Sequence, residues 1–148
     1  MIKSVNKSRE FPEPFFSVTL TTYNRAKLLQ RALYSLMAQT ETNWEAIIIY
    51  DGSTDDTRSL IDTYLHNGRL VRYIYQKNAG YAMAKNTGIF HSKGKFITFL
   101  DSDDEYLSHH LESRKAILIR YPETDFLYGG VEVIGNQFVH DRFNYNKM

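Results

Sequence analysis

Residues 17–57 read SVTLTTYNRAKLLQRALYSLMAQTETNWEAIIIYDGSTDDT, and this stretch decides the fold. It opens on a short run rich in β-branched residues and closes on a second apolar run that contains three consecutive isoleucines. Between the two runs, apolar residues recur at helical spacing, namely Leu29, Ala32, Leu33 and Leu36. A strand, a helix and a second strand in this order predict one βα unit of a mostly parallel sheet.

The same alternation of apolar runs and amphipathic segments continues along the chain. The predicted strands are Phe16 to Thr21, Glu45 to Tyr50, Leu70 to Tyr75 and Lys95 to Leu100. Helices are predicted over Arg25 to Gln39, through Leu60, Ile61, Tyr64 and Leu65, after Gly80, and from Leu107 to Tyr121. The pattern therefore predicts an α/β fold with helices flanking a central sheet.

Helix ends and the last part of the chain are predicted from single residues. Asn24 is expected to cap the first helix, and Thr54 or Ser53 the second. In the fourth helix the inward residues are expected to be Leu111, Ile117 and Leu118. One or two further strands are expected over Asp125 to Val133 and Gln137 to His140.

Length and composition limit the classes of protein to consider. A chain of 148 residues is expected to form one domain, here residues 15–148, preceded by a flexible lead-in or arm over residues 1–14. A formal net charge of +1 without a basic stripe argues against nucleic acid as the main partner. The chain has no cysteine, no signal-peptide pattern and no apolar run long enough for a transmembrane segment, so a cytoplasmic location is expected.

Polar residues follow three of the predicted strands, where parallel α/β sheets bind ligands. They are residues 21–24, 51–56 and 101–104. Asp101, Asp103 and Asp104 repel one another unless a cation or hydrogen-bond donors compensate, and Mg²⁺ or Mn²⁺ is the simplest compensation. The alternative is an acidic turn that caps the next helix.

Asp51 follows the three isoleucines and a tyrosine, and Gly52 allows the backbone to turn sharply after it. A carboxylate in this position can accept a hydrogen bond from a base or a ribose. Alternatively, Asp51, Asp55 and Asp56 serve only the turn and the positive end of the following helix. Tyr23 is ambiguous in the same way, because such a tyrosine either packs under a loop or stacks on a base.

Together these segments resemble the inverting family 2 glycosyltransferases of the Rossmann-like GT-A fold. The resemblance lies in residues 17–57 quoted above, in NAGYAMAKNTGI at 78–89 and in GKFITFLDSDDEY at 94–106. Their order and spacing agree over nearly all of residues 16–133. The resemblance implies metal-dependent transfer of a sugar from a UDP-sugar to an acceptor hydroxyl, with a saccharide or a lipid-linked molecule as acceptor.

The resemblance also implies roles for particular residues. Thr21 and Tyr23 match residues that contact the uracil, and Asp51 matches the aspartate that reads the uracil imide. Asp101-Ser102-Asp103 matches the DxD motif, with Asp101 near the ribose or sugar and Asp103 on the metal. Lys85 stands where the family usually has an arginine, so its phosphate contact would lack the arginine fork.

The chain departs from the family pattern at Tyr50, where the family commonly has another aspartate. It also lacks a counterpart of the later segment that carries the catalytic base and much of the acceptor site, so the fold is expected to be truncated at the acceptor half. His109 and His110 begin a helix beside the DxD loop, where a histidine is more often a solvated first-turn residue. Glu132, His140 and Asp141 lie late in the chain without a matching motif, and the base stays unidentified.

The missing half leaves several predictions open. The chain is either an enzyme part or a nucleotide-sugar-binding module that needs a partner or a further segment for turnover. Uncovered aromatic surface predicts self-association, with residues Phe126, Tyr128, Phe138, Phe143 and Tyr145. Peripheral attachment at the inner face of a membrane is a second option for its location. A more distant rival is a flavodoxin-like signalling domain, whose strand-end aspartates hold Mg²⁺.

Overall fold

The computed structural model describes residues 13–65 and 71–131. Its elements in chain order are β1 (Phe16–Thr22), α1 (Ala26–Met37), β2 (Trp44–Asp51), α2 (Thr57–Leu65), β3 (Val71–Gln76), α3 (Tyr81–His91), β4 (Phe96–Phe99) and α4 (His110–Arg120). Every strand and helix predicted before residue 122 is therefore confirmed, with ends shifted by a few residues. The predicted lead-in lies outside the described residues up to position 12.

The four strands form one parallel sheet in the order β3-β2-β1-β4. This is the strand order of the Rossmann-like fold, in which the direction of winding reverses beside β1. The flavodoxin-like rival requires β3 to pair with β1, whereas here β3 pairs with β2, so this rival is excluded. The carboxyl ends of all four strands consequently meet at one edge.

Helices cover both faces of the sheet. The larger core lies between the sheet and helices α1, α2 and α4; it includes Val18, Leu20, Leu33, Ile48, Ile61 and Leu111. On the other face, α3 packs against β1 and β2, and Ile47, Ile49 and Ala84 form a smaller core. β1 is buried along its whole length because it lies inside the sheet with helices on both sides.

Two predictions about the later chain are wrong. Ile117 was expected to face inward, but it is 40% exposed. The buried residues of α4 are Leu111 and Leu118. The inward stripe of this helix is therefore narrower than its apolar composition suggests. No strand forms over residues 125–131.

The aromatic surface predicted near the end of the chain is partly described. Phe126 and Tyr128 are exposed, whereas Phe138, Phe143, Tyr145 and the predicted strand at 137–140 lie outside the described residues. None of the helices in residues 13–65 and 71–131 is long and apolar enough to span a bilayer.

A buried carboxylate ties the sheet together at the edge opposite the strand-end loops. Glu45, at the start of β2, is fully buried and accepts hydrogen bonds from the Ser17 hydroxyl at 2.6 Å, the Lys93 amide at 2.7 Å and the Arg72 guanidinium at 2.7 Å. Burial by itself favours the neutral acid, but these donors outweigh it and hold the pKa of Glu45 below 4.5. The network joins β1, β2, β3 and the segment after α3.

We expect Glu45→Ala to lower the free energy of unfolding by on the order of 3 kcal/mol, because Arg72 and the Lys93 amide lose their buried acceptor. Since the folded pKa is lowered, the contribution of Glu45 is full above pH 4.5 and is lost as the pH falls through the folded pKa. Glu45→Gln keeps the shape of the side chain and removes its charge. Urea unfolding from pH 7 to pH 3 should therefore show that the free energies of unfolding of the parent and of Glu45→Gln converge in acid. The exposed Glu123 gives the control variant Glu123→Gln, and a constant difference between the parent and Glu45→Gln across the pH range would contradict this assignment.

Candidate functional site

A cleft of about 580 Å³ opens at the carboxyl ends of the strands. Its lining comes from the loops that follow β1, β2, β3 and β4 and from the start of α3, as the parallel sheet requires. The lining residues are Thr21, Thr22, Tyr23, Arg25, Asp51, Asn78, Gly80, Tyr81, Ala84, Asp101, Ser102 and Asp103. Five of the six predicted donor or metal residues thus lie in one cleft, and the sixth, Lys85, contacts a residue of its wall.

The loops after β1 and β2 are held together by direct hydrogen bonds. The Asn24 amide N–H donates to the Ser53 hydroxyl at 2.9 Å, and the Asn24 side-chain oxygen accepts from the Thr54 amide at 2.7 Å. Asn24 has a φ of 52°, a left-handed conformation that asparagine tolerates better than most residues. These contacts fix one wall of the cleft.

Asp55 serves the starts of two helices, which corrects the predicted caps. Its carboxylate accepts from the Ala26 amide of α1 at 3.0 Å and from the Thr57 amide of α2 at 3.2 Å. Burial favours protonation, but these bonds and one from the Thr57 hydroxyl together outweigh it and hold the pKa of Asp55 below its ordinary value. Asn24, by contrast, makes no capping bond to α1.

Asp51 is 4% exposed and binds the loop that precedes α3. Its Oδ1 accepts from the Gln76 side-chain amide at 2.7 Å and the Ala79 amide at 2.9 Å, and its Oδ2 accepts from the Gly80 amide at 3.2 Å. Each carboxylate oxygen can accept two hydrogen bonds, so Oδ2 keeps acceptor capacity. Asp51 therefore shapes the cleft and can still meet a donor in it.

The turn after Asp51 depends on Gly52 and Tyr50. Gly52 has a φ of 71°, and a Cβ on it would come within 2.9 Å of the Asn78 amide nitrogen, so a larger residue would push the two loops apart. The Tyr50 hydroxyl donates to the Ser53 carbonyl at 2.7 Å. The tyrosine that replaces the expected aspartate thus stabilises this turn.

Asp101 is held by two residues of α3. The Tyr81 hydroxyl donates to its two oxygens at 3.1 and 2.9 Å, and the Lys85 ammonium lies 3.1 Å from Oδ1. Burial disfavours the charged amine, but Tyr81 and Asp101 outweigh it and raise the pKa of Lys85. Lys85 also lies over the Phe99 ring, with its nitrogen 4.9 Å from the ring centroid.

Asp103 forms an ion pair with Arg25, whose Nη1 lies 2.8 Å from Oδ2. The two side chains are 49% and 52% exposed, so water competes for both partners. The neighbouring Asp104 has a raised pKa, because partial burial and the negative charges of Asp103 and Asp101 all disfavour its ionised form. The acidic loop therefore carries more negative charge than its cations neutralise.

The carboxylates of Asp101 and Asp103 fit a divalent cation of the Mg²⁺ or Mn²⁺ type. Within residues 13–65 and 71–131, no three His, Asp or Glu side chains come together as a complete protein cage. These cations are, however, usually held by one or two carboxylates while phosphate oxygens and water supply the remaining ligands. Asp101 and Asp103 offer that number of carboxylates in an open cleft.

The first loop contributes two residues with predicted roles and one without. Thr21 is nearly buried and Tyr23 is 49% exposed, and both line the cleft as predicted. Thr22 lies in the predicted strand-end segment 21–24 but was given no role of its own, and its buried hydroxyl oxygen has no hydrogen-bond partner among the described residues. This hydroxyl therefore keeps unused hydrogen-bonding capacity in the cleft wall.

Arg25, Asn78 and Tyr81 are lining residues with polar side chains to which the sequence gave no role. Each directly flanks or lies within a motif that drew attention, but nothing local distinguishes it from a solvated polar residue. Only the folded distances to Asp101, Asp103 and Gly52 give them a place in the site.

The candidates for a catalytic base remain outside this geometry. Glu132, His140 and Asp141 lie beyond the described residues. His109 is exposed and contacts Glu112. His110 stacks on Tyr106, and burial together with the nearby Arg114 lowers its pKa to about 4. Neither of these two histidines lines the cleft.

Known glycosyltransferases resemble this chain in sequence. The sequence model of Glycosyl transferase family 2 matches residues 17–146. An uncharacterized glycosyltransferase of Rickettsia prowazekii is 35% identical over 82% of this chain and 37% of its own length. The Escherichia coli UDP-Glc:alpha-D-GlcNAc-diphosphoundecaprenol beta-1,3-glucosyltransferase WfgD is 31% identical over 89% of this chain and 54% of its own length.

A solved structure agrees with the fold. Staphylococcus aureus TarS, in complex with UDP-GlcNAc, superimposes with a TM-score of 0.69 and 29% sequence identity, over 72% of this chain and 32% of that one. The chain thus spans about a third to a half of the length of these three proteins, and 14% of the length of a Rickettsia bellii glycosyltransferase that it also matches.

We expect Asp51→Ala to loosen the loop before α3, because the Ala79 and Gly80 amides lose a buried, charged acceptor. Hydrogen exchange of these amides should quicken by roughly ten- to a hundred-fold, as expected for lost hydrogen bonds to a charged group. Asp103→Asn is the matched control, because Asp103 contacts neither amide. Unchanged protection in Asp51→Ala would show that the loop is held by other contacts.

Proposed function

The chain belongs to glycosyl transferase family 2, and we propose that its cleft binds a UDP-sugar and that the sugar is transferred to an acceptor hydroxyl with inversion. The observation that carries this proposal is the meeting of two chemistries in one cleft. Tyr23 and the Asp51 carboxylate, which suit a nucleobase, lie at one side of the cleft. The Asp101 and Asp103 carboxylates, which suit a phosphate-bound metal, lie at the other. UDP is proposed as the nucleotide because two of the compared proteins are named with UDP-sugars.

At the base end, Tyr23 stacks on the uracil and the free acceptor position of Asp51 Oδ2 meets the uracil imide N–H. Thr21 completes this contact region, and the Thr22 hydroxyl supplies a hydrogen bond to the nucleoside. Tyr23 is exposed enough to be covered by a ligand, whereas Asp51 is held rigidly by the amides of the next loop. A fixed acceptor of this kind rejects bases that present no donor to it.

At the diphosphate end, Asp103 and Asp101 would hold Mn²⁺ or Mg²⁺, and Asp101 would also contact the ribose or the sugar. A bound divalent cation supplies Lewis-acid stabilisation of the charge that develops on the leaving diphosphate. Lys85, released from Asp101, adds a positive charge near the phosphates. Both carboxylates are partly exposed, so they can exchange their present partners for these ligands.

The reaction itself requires in-line attack. The acceptor oxygen forms a bond to the anomeric carbon, the bond from that carbon to the diphosphate oxygen breaks, UDP leaves, and the acceptor proton passes to a base. Asp141 and Glu132 remain candidates for this base, and a saccharide or lipid-linked hydroxyl for the acceptor.

The alternative function is binding of a nucleotide sugar without turnover by these residues alone. It is favoured by the share of the compared relatives that the chain spans, which ranges from 14% to 54% of their length. In that case a partner, a second copy or a further segment supplies the base. A second copy would cover the exposed Phe126 and Tyr128. Calorimetric titration with UDP-, GDP- and dTDP-sugars, followed by a transfer assay, separates the two functions.

We expect Asp103→Ala to weaken UDP binding in Mn²⁺ by roughly ten-fold or more while leaving the fold intact, because a metal ligand is lost at an open cleft. Without metal, UDP binding should be unchanged or stronger, since Arg25 loses its carboxylate partner. Glu105→Ala removes a carboxylate from the same loop, outside the cleft lining, and should leave both affinities unchanged. Equal affinities of Asp103→Ala and the parent in Mn²⁺ would defeat the assignment.

We expect Asp51→Asn to weaken uridine nucleotides selectively, by ~1 to 3 kcal/mol, because its amide nitrogen can face the uracil imide with a donor. Titration of UDP, CDP and GDP against parent and variant measures this selectivity. A general weakening of all three, accompanied by faster exchange of the Gly80 amide, would mean that Asp51 acts only through the loop.

A further inference from the structure

We propose that Arg25 couples the metal to the nucleotide: it neutralises Asp103 while no metal is present and turns to the diphosphate when Asp103 takes a divalent cation. This inference rests on the proposed function and assigns a role to a residue that the sequence analysis did not identify. It predicts that the loss of Arg25 changes metal affinity and nucleotide affinity in opposite directions.

The contact between Arg25 and Asp103 is suited to such an exchange. One guanidinium nitrogen, Nη1, binds one carboxylate oxygen, Oδ2, at 2.8 Å. A guanidinium has five N–H donors, so most of them remain available to a second acceptor. Both side chains are about half exposed, and exposed ion pairs of this kind are weak enough for a divalent cation to displace.

The charge distribution in the cleft gives the exchange a direction. Asp101 is neutralised by Lys85 and Asp103 by Arg25, which leaves a diphosphate no unengaged cation at these two carboxylates. When Asp103 turns to a divalent cation, the guanidinium loses its partner beside the proposed position of the phosphates. Arginine then binds phosphate oxygens with its planar set of donors. Metal and nucleotide therefore bind with positive coupling.

A second ion pair provides an unusually close control. Arg31 lies on helix α1, which begins directly after Arg25; it binds Glu105 in the same acidic segment, and its side chain is also exposed. Neither Arg31 nor Glu105 lines the cleft. A change at Arg31 thus removes the same formal charge and the same kind of ion pair without touching Asp103.

The test consists of two titrations. In the first, the folded chain is titrated with Mn²⁺ alone, and electron paramagnetic resonance measures the Mn²⁺ that remains free. In the second, UDP is titrated calorimetrically at saturating Mn²⁺. We expect Arg25→Gln to bind Mn²⁺ about two- to five-fold more tightly, because the competing cation is gone. UDP should bind about ten-fold more weakly to the same variant, because a phosphate contact is lost. Arg25→Lys should lie between parent and Arg25→Gln for UDP, and Arg31→Gln should match the parent in both titrations.

Three results would overturn the inference. They are unchanged Mn²⁺ affinity in Arg25→Gln, a shift of both affinities in the same direction, and an equal Mn²⁺ shift in Arg31→Gln, which would indicate a general effect of net charge. The proposed function fails separately, if the parent chain binds no UDP with Mn²⁺ present. Thermal unfolding of Arg25→Gln checks that the fold is retained, and Arg25→Lys carries the test if it is not.

Discussion

The cleft depends above all on the hydrogen bonds that the buried Asp51 carboxylate accepts from backbone amides. Asp51 ends β2, and its bonds to Ala79 and Gly80 fix the loop that begins α3. That helix carries Tyr81 and Lys85 to Asp101 on the far side of the cleft. A buried charge is stabilised only when such donors surround it, so the carboxylate and the loop require each other.

Local patterns in the sequence were sufficient to predict the sheet. Within residues 13–65 and 71–131, apolar runs and helical spacing gave the four strands and the four helices, because burial on a sheet face or along a helix stripe produces a periodic pattern. Strand-end position indicated the segments 21–24, 51–56 and 101–104, and the family resemblance selected Thr21, Tyr23, Asp51, Asp101 and Asp103 within them. The parallel topology does bring these residues to one edge. Their individual roles remain predictions.

What the sequence did not predict depends on contacts between distant segments. Asn24 was the natural local cap of α1, but Asp55 reaches across from the next strand-end loop and caps that helix instead. Arg25 and Arg31 both fall in the helical segment predicted over Arg25 to Gln39, and their ion pairs with Asp103 and Glu105 appear only in the fold. The prediction that Ile117 faces inward was wrong for a related reason, since the width of the buried stripe on α4 is set by the elements that pack against this helix.

The position of α3 explains why the cleft needs polar contacts at both ends of strand β2. This helix buries little besides Ala84 and Gly88, and Gly88 lies so close to Thr19 that a Cβ would come within 3.0 Å of it. Apolar burial of two such small residues contributes little to holding a helix in place. Asp51 fixes the start of the helix and Glu45 fixes the segment after it, through the Lys93 amide. The placement of Lys85 beside Asp101 thus follows from two buried carboxylates at opposite ends of the same strand, β2.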